Sequence, residues 1–208
     1  MTNRNLVVIK LGGSLAACSA QLAAFMQDIA TAAARGVAIV IVPGGGSFAN
    51  AVRQAQLAGG FDDTTAHDMA LLAMAQSGCV LASLPPRSAR LARGLPEVVA
   101  ALAERYYVPI IWQPDPRCDG LDIEHNWRVT SDSLALWLAS KLGAGRVILV
   151  KSCAAPSSNK PAELAQLAQL GIIDDAYPDL AASVCGIATT LIYAGQSVEL
   201  NRALAATS

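Results

Sequence analysis

The sequence predicts an α/β protein, with a mostly parallel sheet and helices on both faces. Three observations lead there. Short apolar, β-branched runs alternate with helical stretches along the whole chain. One run, Val37 to Val42, is six apolar residues long, as in strands covered on both faces. Two glycine-rich loops directly follow the first two strands, so they share the carboxyl edge where such sheets bind ligands.

The elements follow in order. Leu6 to Ile9 reads as a buried strand, ended by Lys10, Gly12 and Gly13. Ser19 to Ala34 reads as a helix, with Leu22, Phe25, Met26 and Ile29 apolar and Gly36 as its left-handed terminator. After the strand Val37 to Val42 comes Pro43-Gly44-Gly45-Gly46, then a helix from about Ser47 to Leu57, broken at Gly59-Gly60. Thr64 to Leu84 is a long helix stopped by Pro85-Pro86. Pro96 to Glu104 is a shorter helix, with proline near its start. Val108 to Trp112 is a strand and the proline-bearing stretch Gln113 to Leu121 a loop. Ser131 to Leu142 is a helix and Arg146 to Val150 a strand. Cys153 to Pro161 is a loop and Ala162 to Leu170 a helix. Thr189 to Tyr193 and Ser197 to Ala205 are the last strand and helix.

At 208 residues, 53% hydrophobic and 15% charged, the chain is too apolar for disorder, and its length suits a single domain over residues 1–208. Lys and Arg total 15 and Asp and Glu 16, a net charge of -1, so no basic nucleic-acid surface is advertised. Mean hydropathy is high at +0.41. Even so, no apolar run reaches the roughly 18 residues of a membrane span, and the N-terminus lacks a signal-peptide core. A cytoplasmic protein acting on small molecules, with no nucleic acid or membrane as partner, is the expectation. Cys18, Cys79, Cys118, Cys153 and Cys185 form no C-x-x-C pair and read as reduced, mostly buried thiols. With two histidines, the inventory for a zinc site is poor.

Three segments carry chemistry. Lys10-Leu11-Gly12-Gly13-Ser14 places a cation at a strand end beside exposed amides, an arrangement that can cradle phosphate oxygens but also serves as a plain turn. In Pro43-Gly44-Gly45-Gly46-Ser47, three glycines cost more backbone entropy than a simple turn warrants and let backbone approach a ligand. The helix after them would aim its N-terminal dipole at that ligand, with Ser47 as a possible N-cap. Neither a Walker A sequence nor G-x-G-x-x-G is present. In Trp127-Arg128-Val129-Thr130-Ser131-Asp132-Ser133, Thr130 and Ser131 are N-cap candidates. Asp132 lies in the first helical turn, where it could hold Lys10 or merely favour the helix.

Together, VIKLGGSL, VPGGGSFANAVR, WRVTSDSLALWLASKLG and the closing LIYAGQSVELNRAL resemble the amino acid kinase superfamily over nearly the whole chain. The resemblance implies a three-layer αβα sandwich with a mainly parallel central sheet. It also implies ATP-dependent phosphoryl transfer with Mg2+, and a homo-oligomer. Lys10 would neutralise the transferring phosphoryl group, and amides of Gly12, Gly13, Gly45 and Gly46 would bind its oxygens. Gly44 would shape the loop, and Asp132 would orient Lys10. GGGSFANAVR, the His67-Asp68-Met69-Ala70 helix and His125-Asn126-Trp127 resemble most closely a short branch. It comprises the phosphate kinases of methanofuran biosynthesis, in the form found in methylotrophic bacteria, which convert an aminomethylfuran phosphate to its diphosphate.

Arg53, His67, His125 and Ser131 are candidates for the acceptor site, with Asp122 or Glu124 for an ammonium group and Trp127 for stacking or simple burial. The chain departs from the family after Val150. Val150-Lys151-Ser152-Cys153-Ala154 stands where nucleotide-binding members carry T-D-x-D-G-V. Asp174-Asp175-Ala176-Tyr177-Pro178 stands where a second lysine is expected. Lys151 or Lys160 could serve the nucleotide instead. The altered segment keeps open a non-catalytic nucleotide- or oxyanion-binding or storage protein on the same fold. A kinase for UMP, isopentenyl phosphate or an amino-acid carboxylate is the third reading.

Overall fold

A computed structural model describes residues 3–13, 19–104, 107–152, 161–194 and 196–205. Its six strands, β1 (Asn3–Leu11), β2 (Ala38–Pro43), β3 (Arg90–Arg93), β4 (Ile110–Gln113), β5 (Ala144–Lys151) and β6 (Ala188–Tyr193), form one sheet in the order β3-β4-β2-β1-β5-β6. Every adjacent pair is parallel. The helices are α1 (Ser19–Ala34), α2 (Gly46–Gly59), α3 (Asp63–Ser83), α4 (Gly94–Ala103), α5 (Ser131–Leu142), α6 (Pro161–Gln169), α7 (Tyr177–Ser183) and α8 (Ser197–Ala205).

The alternation of side chains along a strand builds two cores. Val7, Ile9, Ile39, Ile41, Ile148 and Val150 face α1 and α8, meeting Phe25, Met26, Ile29, Leu200 and Leu204. Leu6, Val8, Val40, Val42, Val147 and Leu149 face the other way, onto α5 and its neighbours. The nine residues from Ser131 to Ala139 are all buried, so α5 is an interior helix enclosed all round rather than a surface one. No helix among the described residues is long and apolar enough to cross a membrane.

Two elements escape the sequence pattern. Arg-Leu-Ala-Arg of β3 has no apolar run, yet Arg90 to Arg93 pair in register with Ile110 to Gln113 at the sheet edge. The sequence reading assigns no element to Tyr177–Ser183, where α7 forms with a proline in its first turn, a position compatible with a helix start. The thiols also differ from expectation. Cys79, Cys118 and Cys185 are free and exposed, on the outer face of α3 and in loops, while Cys18 and Cys153 lie outside the described residues.

Strand order fixes where a ligand can sit. The connections after β1 and β2 run toward β4, and the connection after β5 runs outward to β6. The crevice between the carboxyl ends of β1 and β5 is therefore the switch point of the sheet, the usual ligand position in open α/β sheets.

Candidate functional site

Lys10 on β1 pairs with Leu149 of β5, and Lys151 lies two residues further along β5. A separation of two returns a side chain to the same face. Both ammonium groups therefore emerge at the switch point on the α5 side. Asp132, in the first turn of α5, meets them. Its Oδ1 is 3.0 Å from Lys10 Nζ, and Lys151 Nζ donates to Oδ2 at 2.5 Å. Exposure is 6% for Lys10, 3% for Asp132 and 9% for Lys151. Burial opposes the Asp132 carboxylate, but Lys10 and then Lys151 outweigh it and hold the group below the usual carboxylate range. Burial, followed by the like charge of Lys10, pulls Lys151 down against the attraction of Asp132.

The helix that carries Asp132 is capped from far along the chain. Thr130 occupies the N-cap position of α5 without a side-chain cap bond of its own. Asp174 supplies the acceptor. It takes hydrogen bonds from Thr130 N at 2.8 Å, Thr130 Oγ1 at 2.9 Å and Ser133 N at 2.9 Å, and another from Ser133 Oγ. Burial and the nearby Asp132 raise its pKa, partly offset by these bonds. Sequence reasoning missed Asp174, because a cap supplied 44 residues away has no local spacing signature. Replacing it by alanine leaves the α5 amides and two hydroxyls without their acceptor. We expect Asp174→Ala to lower unfolding stability by about 2 kcal/mol in urea titrations.

The two glycine loops pack backbone against backbone. A Cβ on Gly13 would fall 2.2 Å from Gly46 N, and one on Gly44 would fall 2.3 Å from Gly13 N. Gly44 N donates to Leu11 O at 2.8 Å, which ties the second loop to the end of β1. The expectation for Gly12 needs correction. Its N–H donates to Val150 O at 3.2 Å, continuing the sheet ladder, and is not offered to a ligand. Ser47 is corrected too. The N-cap of α2 is Gly45, with no side-chain cap bond, and Ser47 lies inside the helix. The first-turn amides of α2 therefore lack intrahelical acceptors. Ser77 of α3 steadies the loop by donating to Gly45 O at 3.2 Å.

A cleft of about 850 Å³ opens beside these loops. Gly13, Gly45, Gly46 and Ser47 line one end, Thr130 and Ser131 reach it from α5, and Leu71, Met74 and Leu134 form apolar wall. Arg53, His67 and Trp127 line it as well. Arg53 lies over the Trp127 ring, 4.3 Å from its centroid, and Trp127 Nε1 donates to Gln56 Oε1 at 2.6 Å. His125 stacks on His67 with ring centroids 4.7 Å apart. Four candidates thus converge: Arg53, His67 and Ser131 on the cleft, and His125 through His67. Asp122 and Glu124 do not join them. Asp122 binds Lys141 at 2.7 Å and Trp137 Nε1 at 2.6 Å, Glu124 pairs with Arg128 at 3.1 Å, and both line a separate depression. Lys160, Ser14 and most of the 153–161 loop lie outside the described residues.

Among the described residues, no group of three or more His, Cys, Asp or Glu is placed to hold a metal ion. Asp132, the carboxylate that meets Lys10 and Lys151 at the switch point, is occupied by these two lysines. The residues present fit a magnesium ion carried by the phosphates of a nucleotide rather than one caged by protein.

Comparison with known proteins agrees with this geometry. Residues 5–155 match the amino acid kinase family. A protein of Methanocaldococcus jannaschii described as [5-(aminomethyl)furan-3-yl]methyl phosphate kinase is 31% identical over 148 residues, covering 68% of this chain. The match spans 63% of that relative's own length. Uridylate kinase from Archaeoglobus fulgidus superposes with a TM-score of 0.71 at 22% identity, covering 99% of this chain and 96% of that one. An isopentenyl phosphate kinase superposes with a TM-score of 0.58 at 16% identity, covering 96% of each chain. These two likenesses concern the fold.

Proposed function

The chain belongs to the amino acid kinase family, and we propose that it transfers the γ-phosphoryl group of ATP to the phosphate of a small acceptor bound in the cleft beside the glycine loops. The observation that carries this reading is the Lys10–Asp132–Lys151 cluster. Two buried ammonium groups share one carboxylate, so the three contacting groups hold a net charge of +1. Burying unbalanced charge is costly for stability alone. Asp174 adds a weaker attraction on Lys151, and an anionic ligand at the switch point would bring negative charge directly to both ammonium groups.

Phosphoryl transfer asks for positioning and charge neutralisation more than covalent chemistry from the protein. Lys10 and Lys151 face the charge that develops on the transferring group. Lys151, at the end of β5, takes the place of the second lysine that family resemblance would put further along the chain. Amides of Gly13, Gly45 and Gly46 and the N-terminus of α2 bind phosphate oxygens. Asp132 holds both lysines at fixed positions. Magnesium, bound to ATP, would neutralise phosphate charge. Arg53, Ser131 and His67 contact the acceptor, and His125 braces His67.

We take the acceptor to be the aminomethylfuran phosphate named for the archaeal relative, with its diphosphate as product. The 31% identity over 148 residues supports this, together with the resemblance of the Trp127 to Asp132 segment to that branch. Met69, Leu72 and Val80, exposed along one face of α3, support assembly as a homo-oligomer. A single domain over residues 1–208 and a cytoplasmic location belong to the same proposal.

The test is phosphorus NMR of the purified protein with Mg-ATP and the furan phosphate, with UMP and isopentenyl phosphate in parallel. A new diphosphate signal with ADP in the furan sample alone is the expected result. Transfer to another acceptor would replace the furan assignment. Tight nucleotide binding with no transfer to any acceptor would favour the binding-protein reading.

A further inference from the structure

The cleft has two chemically different ends. Ser77 of α3 touches the glycine loop through Gly45 O. His67 lies ten residues earlier on the same helix. At the rise of an α-helix this is about 15 Å away, far from any phosphate held by the α2 amides. The loop that follows β4 folds over this remote end, bringing His125 onto His67 and Trp127 onto Arg53.

His67 is 5% exposed, and its Nε2 is buried with no hydrogen-bond partner, although the residue lines the cleft. The Asn126 backbone acts on the ring as a hydrogen-bond partner. A neutral ring that donates from one nitrogen keeps its lone pair on the other. Burial first, then His125, favour the uncharged ring, while Asp68 and the Asn126 contact pull the other way. A buried acceptor without a donor is an unmet demand.

We propose that His67 Nε2 accepts a hydrogen bond from an amine or hydroxyl at the end of the acceptor remote from its phosphate. Among the described residues no carboxylate lines the cleft, and the two acids nearest in sequence to His125 are committed to Lys141 and Arg128. The Arg53 guanidinium and the Trp127 indole N–H are donors and cannot serve. Asn50 lies one turn into α2, toward the phosphate end. The inference rests on the reading of this cleft as the acceptor site, and it assigns the specificity for the acceptor's far end to one atom.

Four furan-3-ylmethyl phosphates, bearing aminomethyl, hydroxymethyl, methyl or carboxymethyl at the 5-position, test it by calorimetry. In the native protein, the methyl compound should bind at least about tenfold more weakly than the amine and the alcohol, because it leaves Nε2 unpaired. In His67→Phe, which keeps a ring against His125, the amine, alcohol and methyl compounds should bind within about threefold of one another. The chain has two histidines, so its histidine nitrogen-15 spectrum contains two rings, and the variant identifies His67. The pyridine-type Nε2 signal should move with the amine and the alcohol and stay with the methyl compound. Equal binding of all three by the native protein, tightest binding of the carboxylate, an Nε2 signal that moves alike with every ligand, or no binding at all overturns the proposal. Phosphoryl transfer without discrimination leaves the kinase reading standing and removes this one. Discrimination in binding without transfer does the reverse.

Discussion

Lys10→Met should cut turnover by about a thousandfold or more while leaving the protein folded and at least as stable. The two halves of that expectation have one cause. Lys10 lies on the central strand β1, 6% exposed, and shares Asp132 with Lys151. Removing it takes the contacting cluster from a net +1 to a neutral Lys151–Asp132 pair at 2.5 Å. Methionine fills the vacated volume with an unbranched apolar chain that tolerates irregular space. The folded state loses a like-charge repulsion and keeps its ion pair, so the thermal midpoint should hold or rise. The transition state for phosphoryl transfer loses a preorganised cation. Single-turnover kinetics with saturating acceptor, together with thermal melts, separate the two effects. Normal turnover would remove Lys10 from the site. A collapsed melting curve would mean that the cation is needed for folding.

Asp132→Asn is the mirror case and should damage both properties. The amide is nearly isosteric with the carboxylate but carries no charge, so two buried ammonium groups are left facing each other. Breaking a buried pair by removing one partner costs about 3–5 kcal/mol. Here one carboxylate serves two lysines, which places the expectation at the upper end of that range. Turnover should fall by orders of magnitude, because neither lysine is held in place. The loss should also depend on pH. Lys10 and Lys151 hold the Asp132 pKa below its unfolded value, so its contribution is complete above the unfolded carboxylate pKa of about 3.9 and disappears as pH falls through the lower folded value. Native protein and Asp132→Asn should therefore differ most near neutrality and converge on acidification. A variant that melts with the native protein at pH 7 would show that Asp132 is only a helix-start residue.

Several parts of this arrangement were open to reading in the sequence. The alternation of short apolar runs with helical stretches announced a parallel sheet covered on both faces. Gly13 and Gly44 sit where backbone from the two loops approaches within contact distance, and a Cβ at either would collide with it. Asp132 in the first turn of α5 followed from the Thr-Ser-Asp pattern, and Lys10 from a lysine at a strand end before glycines. Boundaries were less legible. Short edge pairing made β3 out of Arg-Leu-Ala-Arg, and α7, with a proline in its first turn, formed where the sequence pattern marks no element.

The sequence by itself determined the order of elements, the two glycine loops and the chemical types available at the carboxyl edge, because these depend on local periodicity and on backbone freedom at single residues. Tertiary structure alone decided the strand order, and with it which crevice is the switch point. It also set Lys151 beside Lys10 through the β1–β5 register, and it brought Asp174 to cap α5. It used the Gly12 amide in the sheet, committed Asp122 and Glu124 to other cations, and buried His67 Nε2 without a hydrogen-bond partner. Each of these is a contact between residues far apart in the chain. Such a contact is fixed by register and packing between elements, and the amino acids around either partner carry no trace of it.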